Sequence, residues 1–318
     1  MFFSFKNPLT RRLTNSEMHD AEQKTTPSGA FVGASLINKQ PVFLNPREKL
    51  IRISGNHDTF AGDVAIKLMR KAVEEKKSIL MLDFQTIEEF WHKFWAMCFY
   101  LDRVQDFRLI DFSHQERSDT LSPESIAPVQ AARFPQHLFN QPQPFSPVDL
   151  LRNQNGLIAV SMFGAGELEC DNIRTNMCAL AELMIPAVET LVIYGWDQLQ
   201  PAQQQALLKA MEKAKTRIST TLVQFSFPVS ETDFSPSQTE NILFRQRNTI
   251  PEKIWNAIME TQAPKSVQKI RGDLTTKLNE LDDMVGLFWS ENQVDLLQIP
   301  SGEGLPWPPE YKPLRHRA

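Results

Sequence analysis

Apolar and polar positions alternate in blocks along most of the chain. Pro41-Val-Phe-Leu-Asn45 and Leu50-Ile-Arg-Ile-Ser54 are short strand-like runs. A loop, Gly55-Asn-His-Asp-Thr-Phe-Ala-Gly62, follows the second. Apolar residues at Val64, Ile66, Leu68, Met69, Ala72 and Val73 then have helical spacing, with Asp63 placed to cap the helix start. Ser78-Ile-Leu-Met-Leu-Asp83 is an unbroken apolar run, as expected of a parallel strand covered on both faces. Strand, glycine loop, helix and strand make a βαβ unit. The alternation continues with a helix near 86–104 and strands at 107–112 and 156–162. A helix over 167–187, a strand over 189–194, a helix from Pro201 through Ala214 and a strand over 219–226 follow. This order predicts an α/β fold with a mostly parallel central sheet flanked by helices.

The ends and one internal stretch break the pattern. Residues 1–29 read as a polar N-terminal arm. Residues 113–156 carry Pro123, Pro128, Pro135, Pro142, Pro144 and Pro147 among many polar residues, and read as a long excursion with a short helix at 146–152. The last third predicts a strand at 241–245, helices near 250–262 and 266–283, and a strand at 293–299. The main domain therefore spans 30–300, and 301–318 is a proline-rich tail of polyproline character.

Of the 318 residues, 42% are hydrophobic and 23% charged, so the chain has ample material for a core and is not a disordered or fibrous type. A formal net charge of −4 supplies no global attraction for nucleic acid or anionic membrane, and nucleic acid is not expected as a partner. No run of ~18 apolar residues occurs, so no membrane span is predicted. Cys98, Cys170 and Cys178 form neither a C-x-x-C pair nor an even set, consistent with free thiols in a reducing cytoplasm. The six histidines lack metal-binding spacing, so neither metal nor cofactor is expected. Glu167, Glu169 and Asp171 read as acids complementing a helix N-terminus.

The glycine loop stands where a phosphate loop would, without its chemistry. G-x-x-x-x-G-K-[ST] uses backbone N–H groups, a lysine and a hydroxyl to hold phosphate and Mg²⁺. Counted from Gly55, the second glycine position is Phe60, the lysine position Ala61 and the hydroxyl position Gly62. The strand that should end in an acid pair continues Tyr194-Gly195-Trp196-Asp197-Gln198. Neither register gives an Asp for magnesium followed by a Glu for water.

The order of these motifs resembles the type IV coupling-protein family, the TraD/TraG-type ATPases of the FtsK–HerA group. The resemblance runs over about residues 30–300. Ala30-Phe-Val-Gly-Ala34, Pro41–Leu44 and Leu50–Gly55 are similar to its opening strands. Lys77–Asp83, Leu157–Ser161 and Thr190–Tyr194 are similar to its core strands, and Thr239–Arg245 and Glu291–Leu297 to its closing strands. Arg217 and Gln224 match the helix-end arginine and strand glutamine that read the γ-phosphate in that family. The resemblance implies a RecA-like P-loop-NTPase-type fold. With the lysine and acid pair missing, it implies a degenerate nucleotide site at Gly55, Phe60, Ala61, Gly62, Asp197, Gln198, Arg217 and Gln224, and no enzyme activity. The function implied is a cytoplasmic scaffold or adaptor in a type IV secretion or conjugation coupling complex, such as one of Dot/Icm type. Its partners would be the coupling ATPase and its adaptor proteins, with recruitment to the inner membrane through the complex. Two alternatives stay open: a nucleotide-binding switch or NTPase with an atypical loop, and a DNA-binding accessory protein of conjugation.

Phe90-Trp-His-Lys-Phe-Trp-Ala-Met-Cys-Phe-Tyr100 is the densest aromatic segment. Phe90, Trp91, Phe94 and Trp95 share one helical stripe, which Phe99 and Tyr100 widen. Such a stripe packs on a sheet or serves as a protein-binding hot spot, and a homodimer is one use for it. Trp307 and Tyr311 in the tail either dock into an aromatic groove elsewhere or strap the domain's own surface.

Overall fold

The computed structural model describes residues 12–23, 29–46, 49–56, 59–87, 90–139, 143–214, 218–225, 239–245, 281–291, 293–300 and 308–313. The expected helix at 250–262 and residues 266–280 of the one expected at 266–283 lie outside the described residues, and 281–283 are not helical. The chain divides into two compact units: 1–68 with 223–303, and 69–222 with 304–318.

In the first unit, strands β1 (Ala30–Ser35), β2 (Pro41–Leu44), β3 (Leu50–Ser54), β9 (Thr239–Leu243), β10 (Val285–Ser290) and β11 (Gln293–Gln298) lie in the order β2-β1-β11-β10-β9-β3. β3 and β9 are parallel, pairing Leu50 with Thr239 through Ser54 with Leu243. The remaining ladders are antiparallel, β10 and β11 forming a hairpin from Val285↔Gln298 to Ser290↔Gln293. Trp289 is fully buried at the centre of a cluster with Leu243, Leu287, Val294 and Leu296.

Within the arm expected at 1–29, the described residues 12–23 hold a helix. Helix α1 (Asn15–Glu22) begins at Thr14, whose hydroxyl accepts from the Glu17 N–H while the Glu17 carboxylate accepts from the Thr14 N–H. Leu13, Met18 and Ala21 enter the Trp289 cluster. The Gln298 side chain bonds both the N–H and the carbonyl of Leu13. So few apolar residues per turn leave no periodic signal, yet they suffice to dock the helix.

Helix α2 (Ala61–Glu74) starts earlier than its sequence suggests, so Asp63 lies in its first turn rather than at the cap. The division between the units falls within α2 and again within β8 (Ser219–Gln224).

The second unit is built on four parallel strands in the order β7-β4-β6-β5: β7 (Thr190–Tyr194), β4 (Ile79–Asp83), β6 (Leu157–Ser161) and β5 (Phe107–Asp111). All residues of β4, β6 and β7 are buried, matching their unbroken apolar runs. Helices α3 (Phe90–Tyr100), α5 (Pro147–Asn153), α6 (Cys170–Met184) and α7 (Pro201–Lys213) accompany them, with the short α4 (Pro128–Ala131). The proline-rich stretch 113–156 is a packed part of this unit. Leu121, Ile126, Phe134, Leu138, Leu150 and Leu151 are buried, and the Asn176 amide donates to the Arg133 carbonyl at 3.0 Å.

β5 ends this row of strands, and its outer edge is closed by local groups rather than by another strand. Asp119 N–H donates to the Leu109 carbonyl at 2.7 Å, and Leu109 N–H donates to the Asp119 carboxylate at 2.9 Å. Asp111 N–H donates to Ser118 Oγ at 3.0 Å. An edge satisfied in this way offers no template for strand addition.

Candidate functional site

The Gly55 loop follows β3. A phosphate loop works because successive N–H groups point inward with no protein acceptor, leaving them for phosphate oxygens. Here four of them are bonded internally. Gly55 N–H donates to the Gln224 carbonyl (3.1 Å), Asn56 N–H to Arg245 (3.2 Å), Thr59 N–H to Asn56 (3.1 Å) and Phe60 N–H to Asp283 (3.1 Å). The Thr59 hydroxyl also donates to the Asn56 carbonyl at 2.7 Å. The loop's first residue is tightly packed: a Cβ at Gly55 would lie 2.5 Å from Thr59 Oγ1 and 2.8 Å from Phe244 Cβ. Ala61, at the lysine position, is buried at the start of α2. Arg245 pairs with Asp283 at 2.7 Å beside the same bonds. Gln224 is buried, and its backbone carbonyl meets Gly55. Arg217 lies outside the described residues.

In the second unit β7 ends at Tyr194, and no Asp-Glu pair follows it. Tyr194 stacks face to face on Phe90, ring centroids 3.8 Å apart. Gly195 then takes a left-handed conformation (φ 85°), with the Gln85 amide so close that a Cβ would lie 2.6 Å from it. Asp197 and Gln198 follow in a single 3₁₀ turn, half-buried, with Gln198 N–H donating to the Gly195 carbonyl at 3.0 Å. Asp83, at the end of β4, is committed to backbone: its carboxylate accepts from Gln85 N–H and Trp91 N–H, both at 3.2 Å, and so steadies the start of α3.

Asp111, at the end of β5, is fully buried. Burial pushes its carboxyl up from the usual range, opposed by the Ser113 N–H, the Arg117 guanidinium at 3.6 Å and the His114 N–H. Arg117 in turn lies over the rings of Trp91 (5.9 Å) and Phe163 (5.4 Å). Arg117 thus supplies the counter-charge to a buried carboxylate while its guanidinium packs on aromatic faces. Two of the thiols are poor nucleophiles: burial pushes Cys98 well up and Cys178 up to about 12. No group of three or more His, Cys, Asp or Glu among the described residues could hold a metal ion. No described helix is long and apolar enough to cross a membrane.

The aromatic stripe of α3 is divided. Trp91 and Trp95 are buried, whereas Phe99 and Tyr100 are 37% and 42% exposed. In this structure the tail of the same unit covers Trp91 and Trp95. Tyr311 is itself buried, its ring edge-on to Trp95 at 5.0 Å, Phe107 at 5.5 Å and Trp91 at 5.9 Å. The Tyr311 hydroxyl donates to the Asp119 carboxylate and accepts from Leu109 N–H at 3.1 Å. The Trp95 indole N–H donates to the Pro309 carbonyl at 3.2 Å. Trp307 lies outside the described residues. The sequence points to Tyr311 and the tryptophans, but not to Phe107 or Asp119, which complete the seat. Asp119 sits in a polar stretch with nothing in its spacing to mark it.

No family profile matches the sequence, and no curated protein matches it. Among solved structures, the fold is similar to VirB4 of Thermoanaerobacter pseudethanolicus, at 12% identity and a TM-score of 0.57, over 88% of this chain and 99% of that one. It is likewise similar to the bacterial conjugative coupling protein TrwBΔN70, at 10% identity and a TM-score of 0.58, over 88% and 90% of the two chains. A second form of TrwBΔN70, in complex with sulphate, gives 11% identity and a TM-score of 0.56. The chain therefore has the RecA-like α/β fold of P-loop ATPases. At these identities the likeness speaks for the fold alone.

Proposed function

We propose that this chain is a non-catalytic scaffold or adaptor of a type IV secretion or conjugation coupling complex, built on the fold of a coupling ATPase whose nucleotide site has degenerated. The observation that carries this reading is the fate of the loop amides. Gly55, Asn56, Thr59 and Phe60 give their N–H groups to internal carbonyls, while Ala61 and Gly62 occupy the lysine and hydroxyl positions. A triphosphate arriving there would meet four amides already bonded and no cation from the lysine position. The fold shared with VirB4 and with a conjugative coupling protein, together with the ordered strand motifs, supports the setting. The chain acts through protein–protein contacts in the cytoplasm, its partners being the coupling ATPase and that enzyme's adaptors, as in a complex of Dot/Icm type that draws it to the inner membrane.

Two measurements test this. Calorimetric titration with Mg-ATP should give no saturable binding, and tagged protein drawn from its own cells should carry a coupling ATPase with it. Saturable binding with turnover that is lost on mutation at Gly55 or Asp197 overturns the non-catalytic reading. Recovery of the chain alone overturns the complex.

A further inference from the structure

The segment Pro308-Pro309-Glu310-Tyr311 is seated in its groove in the manner of a bound peptide. Burial alternates along it: Pro308, Tyr311 and Pro313 face inward while Pro309, Glu310 and Lys312 face out. Three contacts hold it as a recognition site would. A tryptophan indole N–H meets a proline-segment carbonyl, a tyrosine ring enters a seat made of Trp91, Trp95 and Phe107, and a buried carboxylate receives the hydroxyl at the bottom. Proline-rich segments suit such grooves because they are stiff before binding and lose little entropy on docking. The cis tail does not fill all the space beside it. An open cavity of about 820 Å³ runs along Glu310–Pro313, walled on its other side by His114–Arg117.

We infer that the Trp91–Trp95–Phe107–Asp119 groove is a recognition site for Pro-Pro-x-Tyr segments, occupied in cis by the chain's own tail and taken over by such a segment of a partner protein when the tail leaves. The chemistry of the partner is that of the segment already seated: two prolines presenting a carbonyl to Trp95, and a tyrosine two residues beyond. The tail gates the site through its effective concentration, of millimolar order for a short tether. This inference goes beyond the adaptor reading, and its test does not involve nucleotide.

The test uses full-length protein and a fluorescein-labelled peptide of residues 305–313. Tyr311→Ala disables the cis tail and leaves the groove intact. It should bind the peptide at least tenfold more tightly than the unmodified chain. Adding Asp119→Ala to that variant, or replacing the peptide's tyrosine by alanine, should abolish the binding. Equal affinity for both proteins, or no saturable binding by a Y311A variant with native circular dichroism, overturns the proposal. A concentration-dependent dimer of the unmodified chain that is lost in Y311A assigns the groove to a second copy and overturns the partner-protein assignment. Should Y311A fail to fold, hydrogen exchange on the unmodified chain decides. Tail amides at 310–312 exchanging well before those of β4 support a releasable ligand, and exchange of both together overturns it.

Discussion

The N–H of Gly55 donates to the carbonyl of Gln224 at 3.1 Å, so a loop in the position of a phosphate cradle is tied down by its own unit. Gly55 has no room for a side chain, with Thr59 Oγ1 and Phe244 Cβ both within 3 Å of where a Cβ would stand. Gly55→Ala should therefore destabilise the protein by about 1–3 kcal/mol through overpacking. Urea midpoints of the two proteins measure it, and an unchanged midpoint would mean the loop is looser than described.

Thr14 and Glu17 cap α1 reciprocally, and Glu17 also pairs with Lys39 at 2.6 Å. Thr14→Ala removes one half of the capping box and should cost about 1 kcal/mol. Because Met18 and Ala21 are part of the Trp289 cluster, the loss should register in the unfolding midpoint rather than as local fraying. Thr14→Ser, which keeps the hydroxyl, should recover most of it.

The thiols provide a test that needs no mutation. Cys98 and Cys178 are buried and held well above the ordinary thiol range, so neither presents thiolate at pH 8. Ellman's reagent should label at most one of the three cysteines, Cys170, in native protein, and all three in urea. Rapid labelling of two or three native thiols would contradict the packing of α3 and α6.

Asp295 is buried in β11, where burial pushes its carboxyl up despite hydrogen bonds from Ser35 Oγ (2.9 Å) and Leu296 N–H (2.8 Å). The folded state then keeps this proton to higher pH than the unfolded chain, whose carboxyl titrates near 3.8. Stability from the protonated form is complete below that value and is lost as pH rises through the folded one. Asp295→Asn keeps the acceptor oxygen and removes the charge. Its stability relative to the unmodified chain should rise from pH 4 to pH 7, as read from urea midpoints. A difference that does not change with pH would sink this account.

The parallel strands of the second unit are legible because burial on both faces writes itself as unbroken apolar runs, as in Ile79–Asp83 and Thr190–Tyr194. The absence of a lysine at position 61 is equally legible. The closure of the Gly55 loop is not, since its acceptors come from Gln224, Arg245 and Asp283, far along the chain. The strand Val285–Ser290 escapes notice because a short run with an internal glycine, Val-Gly-Leu-Phe-Trp-Ser, carries no period that separates strand from loop. In α3 the sequence shows a stripe of tryptophans, but only the fold shows that Tyr311 lies on it.

The seat for Tyr311 has a consequence for the order in which the protein is made. Trp95 and the Pro309 carbonyl that it holds are 214 residues apart. At about 5–20 residues per second, a ribosome takes roughly 10–40 s to cover that distance. Throughout that interval two indoles and one flank of β5 stand uncovered on a nascent chain, an opening for chaperones that shuts only when Tyr311 arrives.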